Sequence, residues 1–336
     1  MRRFLSSTSP RRAFALACSV ACSVACGSSH SSVSQAGSGG SSGAGSVAQA
    51  GTGNSLIVPM GDGGGSVVGS GGGAVVDPGT LPPGFTQADT FGGYKLGDPI
   101  TGTDGDSGGA TGSAGSISTS ACGTTILAVI RDFQADGKNF EANTGDDHGL
   151  VQKQLGADRK PVFAPSGPTH TVQDPAQFDD WYRNKDGLNK AFKLEIWFGP
   201  NDKVKSFQST AFFPIDGVGF GNDGEDGAHV MHNFHFTTEI HTEFKYNGGE
   251  QFHFTGDDDV WVFINNQLAL DLGGVHVAET DTIDMEQKAG ELGLTKGQVY
   301  PFDMFQNERH TTQSNFRADS DLEFVDCGTI VPEIPK

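Results

Sequence analysis

The stretch Phe254-Thr-Gly-Asp257-Asp258-Asp259-Val-Trp-Val-Phe-Ile-Asn265-Asn266-Gln-Leu-Ala-Leu-Asp271 constrains the fold more than any other part of the chain. Three adjacent carboxylates follow Gly256, and behind them come an apolar strand, a tight Asn-Asn turn and a second strand ending in a further carboxylate. Carboxylates crowded on one turn repel one another unless they are neutralised or solvated. Hard cations such as calcium take several carboxylate and carbonyl oxygens. The pattern therefore predicts a cation site on a β-scaffold, with Asp257, Asp258, Asp259 and Asp271 as candidate ligands. The alternative is that these acids only hydrogen-bond the amides of their own turn.

The rest of residues 121–330 reads as strands. Thr124 to Phe133 is apolar and β-branched, the signature of a buried strand. Phe192 to Phe198 alternates, and so does Phe234 to Tyr246, where Phe234, Phe236, Ile240, Phe244 and Tyr246 share one face and His235, Glu239, His241, Glu243 and Lys245 the other. Asn247-Gly-Gly-Glu250 then predicts a hairpin into Gln251 to Thr255. Val299 to Phe305 and Leu322 to Val325 supply late strands. Asp174-Pro175, followed by Phe178, Trp181 and Tyr182, predicts a short helix with aromatic core anchors. One short helix among many strand patterns implies an antiparallel β-sandwich.

The hairpin Asp257-Asp258-Asp259-Val260 through Asn265-Asn266-Gln267-Leu268 to Asp271 resembles the centre of protective-antigen-type (PA-fourteen) β-sandwich domains. Trp181-Tyr182, Phe212-Phe213-Pro214, His232 to Glu239, Gly273-Gly-Val-His276 and Glu308-Arg-His-Thr-Thr311 bring the likeness closer to the fibro-slime branch of that family. The resemblance implies a secreted or surface binding module. In calcium-dependent adhesin members an Asp-Asp pair holds calcium, which grips sugar hydroxyls. Carried over by position, the pair is Asp257 and Asp258, and Asp259 stands where the wider family often has glycine. The resemblance also implies that Arg309 pairs with an acid of the neighbouring hairpin.

Ahead of this domain, residues 1–25 read as an export signal, with Arg2, Arg3, Arg11 and Arg12 before an apolar run too short to span a bilayer. Ser23-Val-Ala-Cys26 resembles a lipoprotein box, which makes Cys26 the expected lipidated residue, with Cys18 and Cys22 in similar contexts and an ordinary secretory signal as the alternative. Residues 26–120 are Gly/Ser-rich and poor in charge, the composition of a flexible tether, although 86–120 contains Phe91 and Tyr94 and is transitional. Residues 331–336 read as a tail. These features together predict an exported outer-membrane, cell-surface or matrix protein, touching the membrane only through its lipid. In an exported chain, Cys122 and Cys327, at the two ends of the domain, predict one disulfide.

The formal charge is −19, and loss of four signal arginines would take it to about −23. Such acidity excludes nucleic acid as the expected partner and favours cations. Asp223 and Asp226, in the oxygen-rich loop after Asp216, are secondary metal candidates. His229-x-x-His232-x-x-His235 has the density of a zinc site but converges only if its loop curls back, and surface or hydrogen-bonded histidines are the plainer reading. The chain has no Gly-x-Ser-x-Gly elbow, His-Glu-x-x-His helix or phosphate loop. The sequence thus favours a calcium-dependent adhesion module with a glycan, matrix or cell-surface partner. A structural matrix component in which calcium only stiffens the fold stays open, as does a glycoside hydrolase built on a carboxylate pair.

Overall fold

A computed structural model describes residues 81–101, 124–201 and 204–328. In chain order the strands are β1 (Thr86–Gln87), β2 (Gly93–Ile100), β3 (Thr125–Asp132), β4 (Gly145–Asp146), β5 (Lys190–Trp197), β6 (Gly199–Asn201), β7 (Val204–Ser209), β8 (Gly224–Glu225) and β9 (Met231–His232). Then come β10 (Phe236–Lys245), β11 (Gln251–Gly256), β12 (Val260–Ile264), β13 (Gln267–Leu272), β14 (Gly274–Val275), β15 (Glu279–Asp284), β16 (Val299–Glu308), β17 (Phe316–Ser320) and β18 (Glu323–Asp326). The larger sheet has the order β1-β2-β5-β3-β10-β16-β12-β13, with β18 also paired to β10, and the smaller has the order β15-β11-β17-β7-β6. The paired strands are antiparallel throughout both sheets. Among the described residues no helix is long and apolar enough to cross a membrane.

Two cores hold the fold. The main one lies between the sheets and takes Ile130, Ile196, Phe236, Ile240 and Met304 from the larger, and Phe207, Phe252, Phe254 and Phe316 from the smaller. The second lies on the outer face of the larger sheet, where Phe133, Phe140, Leu150, Phe178, Trp181 and Tyr182 cover Trp261, Phe263 and Phe305. The larger sheet is therefore covered on both sides. This explains why all five residues of β12 are buried although Val-Trp-Val-Phe-Ile does not alternate.

The Asn265-Asn266 turn forms as expected, with both residues at positive φ (50° and 60°) and Ile264 opposite Gln267. Phe178, Trp181 and Tyr182 are core residues, and the helix expected near them is a 3₁₀ turn, Pro175–Asp180. An α-helix that the sequence reading passed over, α1 (Met285–Leu292), is capped by the Asp284 side chain at its start and by left-handed Gly293 at its end.

Two expectations need correction. The turn after β10 does not make a hairpin, because β10 belongs to the larger sheet and β11 to the smaller. Gly248 and Gly249, both at positive φ, carry the chain from one layer to the other, and the Glu250 carboxylate accepts from the Asn247 and Gly248 amides. On the polar face of β10, Glu243 is exposed and Lys245 half-buried. His235, Glu239 and His241 are buried, and Glu239 accepts from Arg131, Lys160 and His241 beneath the second core. Finally, the domain starts earlier than residue 121. Within the expected tether, β2 pairs with β5, and Tyr94 and Leu96 pack on the main core.

Candidate functional site

At one end of the sandwich a pocket of about 410 Å³ opens between loops. The turn after β11 contributes Asp257 and Asp258, the segment around β14 contributes Val275, His276 and Val277, and the loop after β16 contributes His310 to Gln313. Thr144 to Asp146 complete the wall. The Asp257-Asp258 and Thr311-Thr312 peptides, both in this wall, are cis.

The three consecutive aspartates have different fates. Asp257 accepts from the Asn315 amide and, at 2.8 Å, from Asn315 Nδ2. Burial raises its carboxyl above the usual range, and the Asn315 hydrogen bonds oppose that rise. Asp258 accepts from the His276 amide at 3.1 Å and the Arg309 amide at 2.9 Å. Burial pushes its carboxyl well above the usual range, the Arg309 charge and hydrogen bond oppose this, and the neighbouring Asp259 and Asp257 charges add to it.

Asp259 points away from the pocket into the second layer. It accepts from Arg309 Nε at 2.6 Å, Arg309 Nη2 at 3.1 Å, Asn307 Nδ2 at 3.0 Å and the Gly274 amide at 2.6 Å. Gly274 can come this close because it has no side chain: at φ +134° a Cβ would stand 2.5 Å from the Gly145 carbonyl. The remaining donors of Arg309 go to the Asn139 and Thr171 carbonyls and the Thr171 hydroxyl, and its guanidinium lies 4.9 Å from the Trp181 ring. The expected partnership of Arg309 with a hairpin acid is thus present. It also removes Asp259 from the candidate ligands, because both carboxylate oxygens are committed.

Asp271 stands outside the pocket. It accepts from Trp261 Nε1 at 3.0 Å and the Gly149 amide at 2.9 Å. Asp223 pairs with His235, and Asp226 accepts from the Ala228 and Val230 amides, both at 2.8 Å. His232 contacts Asp216 at 2.6 Å and Asp226 at 3.7 Å, so this loop matches its acids with imidazoles. His229, His232 and His235 each face carboxylates and do not gather as a zinc triad. Among the described residues no group of three or more His, Cys, Asp or Glu side chains is already disposed around one point for a metal ion. Cys26 and Cys122 lie outside the described residues. Cys327 is buried, and its carbonyl accepts from the Leu127 amide near the start of β3 at 2.7 Å.

One acid beside the pocket was not singled out from the sequence. Glu308, the last residue of β16, is fully buried, and neither carboxylate oxygen has a hydrogen-bond partner. Burial first, then the charges of Asp258 and Asp257, push its carboxyl well above the usual range, opposed by approaches of the Ser314 side chain and the His310 amide that fall short of hydrogen-bond geometry. Its alternation with Met304 and Gln306 was the available signal, since it puts a carboxylate on a strand face otherwise facing the core.

Residues 188–336 match the model of the PA14 domain. Two Dictyostelium discoideum relatives are protein psiD, 38% identical over 213 residues, and protein psiQ, 39% identical over 196 residues. These alignments cover 60% and 54% of this chain but only 42% and 19% of psiD and psiQ. The chain therefore spans less than half the length of these relatives. Among solved structures, a PA14 sugar-binding domain from an RTX adhesin aligns over 62% of this chain and 99% of its own, with 8% identity and a TM-score of 0.24.

Proposed function

We propose that this chain is a PA14-type binding module whose pocket holds calcium at Asp257 and Asp258 and takes a hydroxyl-rich glycan of a cell surface or matrix. The observation that carries this reading is the convergence of two buried carboxylates with one open pocket. Burial of ionised carboxylates is costly without a compensating charge, and Arg309, the buried cation next to them, is already bonded to Asp259. The residues fit a hard cation: each of Asp257 and Asp258 keeps acceptor capacity beyond its two hydrogen bonds. Calcium, when bound, supplies positive charge and coordination positions that hydroxyl oxygens can fill.

The surroundings suit recognition. Thr144, Thr311, Thr312 and Gln313 offer neutral donors and acceptors, and the half-buried His310 lines the same pocket. The PA14 match and the sugar-binding description of the RTX adhesin domain support a sugar as the ligand. A glycan array probed with the full chain, with calcium and again with chelator, tests the reading. Binding that disappears with chelator is expected. Binding indifferent to chelator would refute the role of calcium, and failure to bind any glycan would leave the cation as a stabiliser of the fold.

A further inference from the structure

Three polar side chains stand on the interior face of the larger sheet, where the pattern otherwise brings hydrocarbon. Thr238 lies directly opposite Gln306 across the β10–β16 ladder, and Glu308 follows Gln306 by one alternation and so shares its face. Their neighbours on that face, Phe236, Ile240 and Met304, belong to the core between the sheets. Thr238, Gln306 and Glu308 are 1%, 1% and 0% exposed. Yet the Thr238 hydroxyl, both polar atoms of the Gln306 amide and both Glu308 oxygens are without hydrogen-bond partners. Leaving a buried polar group unpaired costs roughly 1–3 kcal/mol, and native proteins pair nearly all of them. Four of these five atoms are oxygens, two of them carboxylate oxygens of Glu308, and these suit a ligand with strong demand for oxygen.

The patch adjoins the aspartate turn. The Asp258 amide donates to the Asn307 carbonyl at 3.1 Å, and the Arg309 amide donates to the Asp258 carboxylate at 2.9 Å, so the residues on either side of Glu308 hold Asp258 in place. Asn307 and Arg309 send their side chains to Asp259 in the second layer. Alternation turns Glu308 the other way, and the charges of Asp257 and Asp258 still reach it. Of the buried acids around the aspartate turn, Asp259 is committed to Arg309, Asp257 and Asp258 are held by two hydrogen bonds each, and Glu308 has no hydrogen bond of good geometry.

We infer that Glu308 is a third carboxylate ligand of the cation held at Asp257 and Asp258, with Gln306 and Thr238 forming the neutral inner wall behind it. This rests on the calcium reading above and adds a residue that the aspartate pair does not predict. Calcium takes 6–8 oxygens, and the number of charged ligands tunes its affinity. The carboxylates do not yet surround one point, and Glu308 is the buried one that can turn toward an ion without giving up a hydrogen bond, as the exposed Asp146 of the pocket wall also can.

Isothermal titration of chelator-treated full-length chain with calcium alone tests this, comparing wild type, Glu308→Gln and Asp258→Asn. Wild type should bind, Asp258→Asn should lose binding, and Glu308→Gln should weaken it by about tenfold or more, with native near-ultraviolet dichroism retained. Glu308→Gln binding as tightly as wild type, with Asp258→Asn inactive, overturns the role of Glu308 and leaves the aspartate site standing. A wild type that binds no calcium overturns both. Should Glu308→Gln fail to fold, wild-type crystals soaked in calcium decide the matter. A Glu308 oxygen at roughly 2.3–2.6 Å from the ion supports the assignment, and a carboxylate outside the coordination shell overturns it.

Discussion

Arg309 donates Nε to Asp259 at 2.6 Å with both side chains fully buried, and this pair ties the aspartate turn after β11 to the end of β16. Removing one member of a buried pair typically costs 3–5 kcal/mol, because the other charge is left behind. Arg309→Met is therefore expected to destabilise the chain by about 3–5 kcal/mol, read from urea unfolding. Asp259→Asn with Arg309→Met should recover part of the loss. A double variant no more stable than Arg309→Met would show that the guanidinium acts through its carbonyl contacts and Trp181, and not through Asp259.

Calcium at about 100 times its dissociation constant should stabilise the folded chain by roughly 2.7 kcal/mol, visible as a rise in melting temperature by scanning calorimetry. Asp258→Asn should remove most of that rise. Its chelated form gains from losing a buried charge and loses one of two amide contacts, so its own stability should stay within about 1–3 kcal/mol of wild type. A full calcium response in Asp258→Asn would be incompatible with the site.

His235 sets a pH dependence. Burial disfavours its charge, but the Asp223 and Glu141 carboxylates outweigh that and push its pKa up to about 9. A pKa raised on folding gives stability that is complete below the unfolded value near 6.5 and is lost as pH rises through the folded one. Melting temperature should therefore fall between about pH 6.5 and 9. His235→Gln should flatten that slope, and an unchanged slope in this variant would assign it to other groups.

The Cys122–Cys327 disulfide remains a proposal, supported by the bond from the Leu127 amide to the Cys327 carbonyl, which brings the end of the β18 segment beside β3. Non-reduced peptide mapping of exported protein should find the linked species. Closing so long a loop is worth about 5 kcal/mol in the chain-entropy model, so reduction should lower the melting temperature markedly. Two alkylatable thiols in exported protein would contradict it.

Export with lipidation at Cys26 is also a proposal. Cys26→Ser should lose metabolic fatty-acid label and leave the membrane fraction; retained label would move the modification to Cys18 or Cys22, or away from lipidation.

Much of the fold was legible because most strands either alternate or run apolar, and because Asn265-Asn266 and Asp174-Pro175 declare their turns by local chemistry. The layer crossing after β10 was not legible: Gly248-Gly249 fits a hairpin and a change of sheet equally well. The burial of His235, Glu239 and His241 was hidden for another reason. The residues that cover and pair them, Arg131 and Lys160 to Tyr182, lie far away in sequence. At the site, Asp257 and Asp258 could be read from the cluster. The diversion of Asp259 to Arg309 and the burial of Glu308 depend on which way each side chain leaves its strand, and only the register settles that.

The larger sheet also sets how the domain would carry mechanical load. The pocket end of the sheet is the start of β12 and the end of β16, and the pairings carry that end across to Asp132, Lys190 and Ile100. Gly93, where β2 begins, is opposite Trp197 and so lies at the far end, on an outer strand of the sheet. A pull between a ligand in the pocket and the chain preceding β2 would thus run lengthwise along the strands. The two-residue β1 would peel first. After that, the hydrogen bonds between β2 and β5 would be stretched together in shear, the orientation in which a ladder resists force as a set and does not unzip one rung at a time.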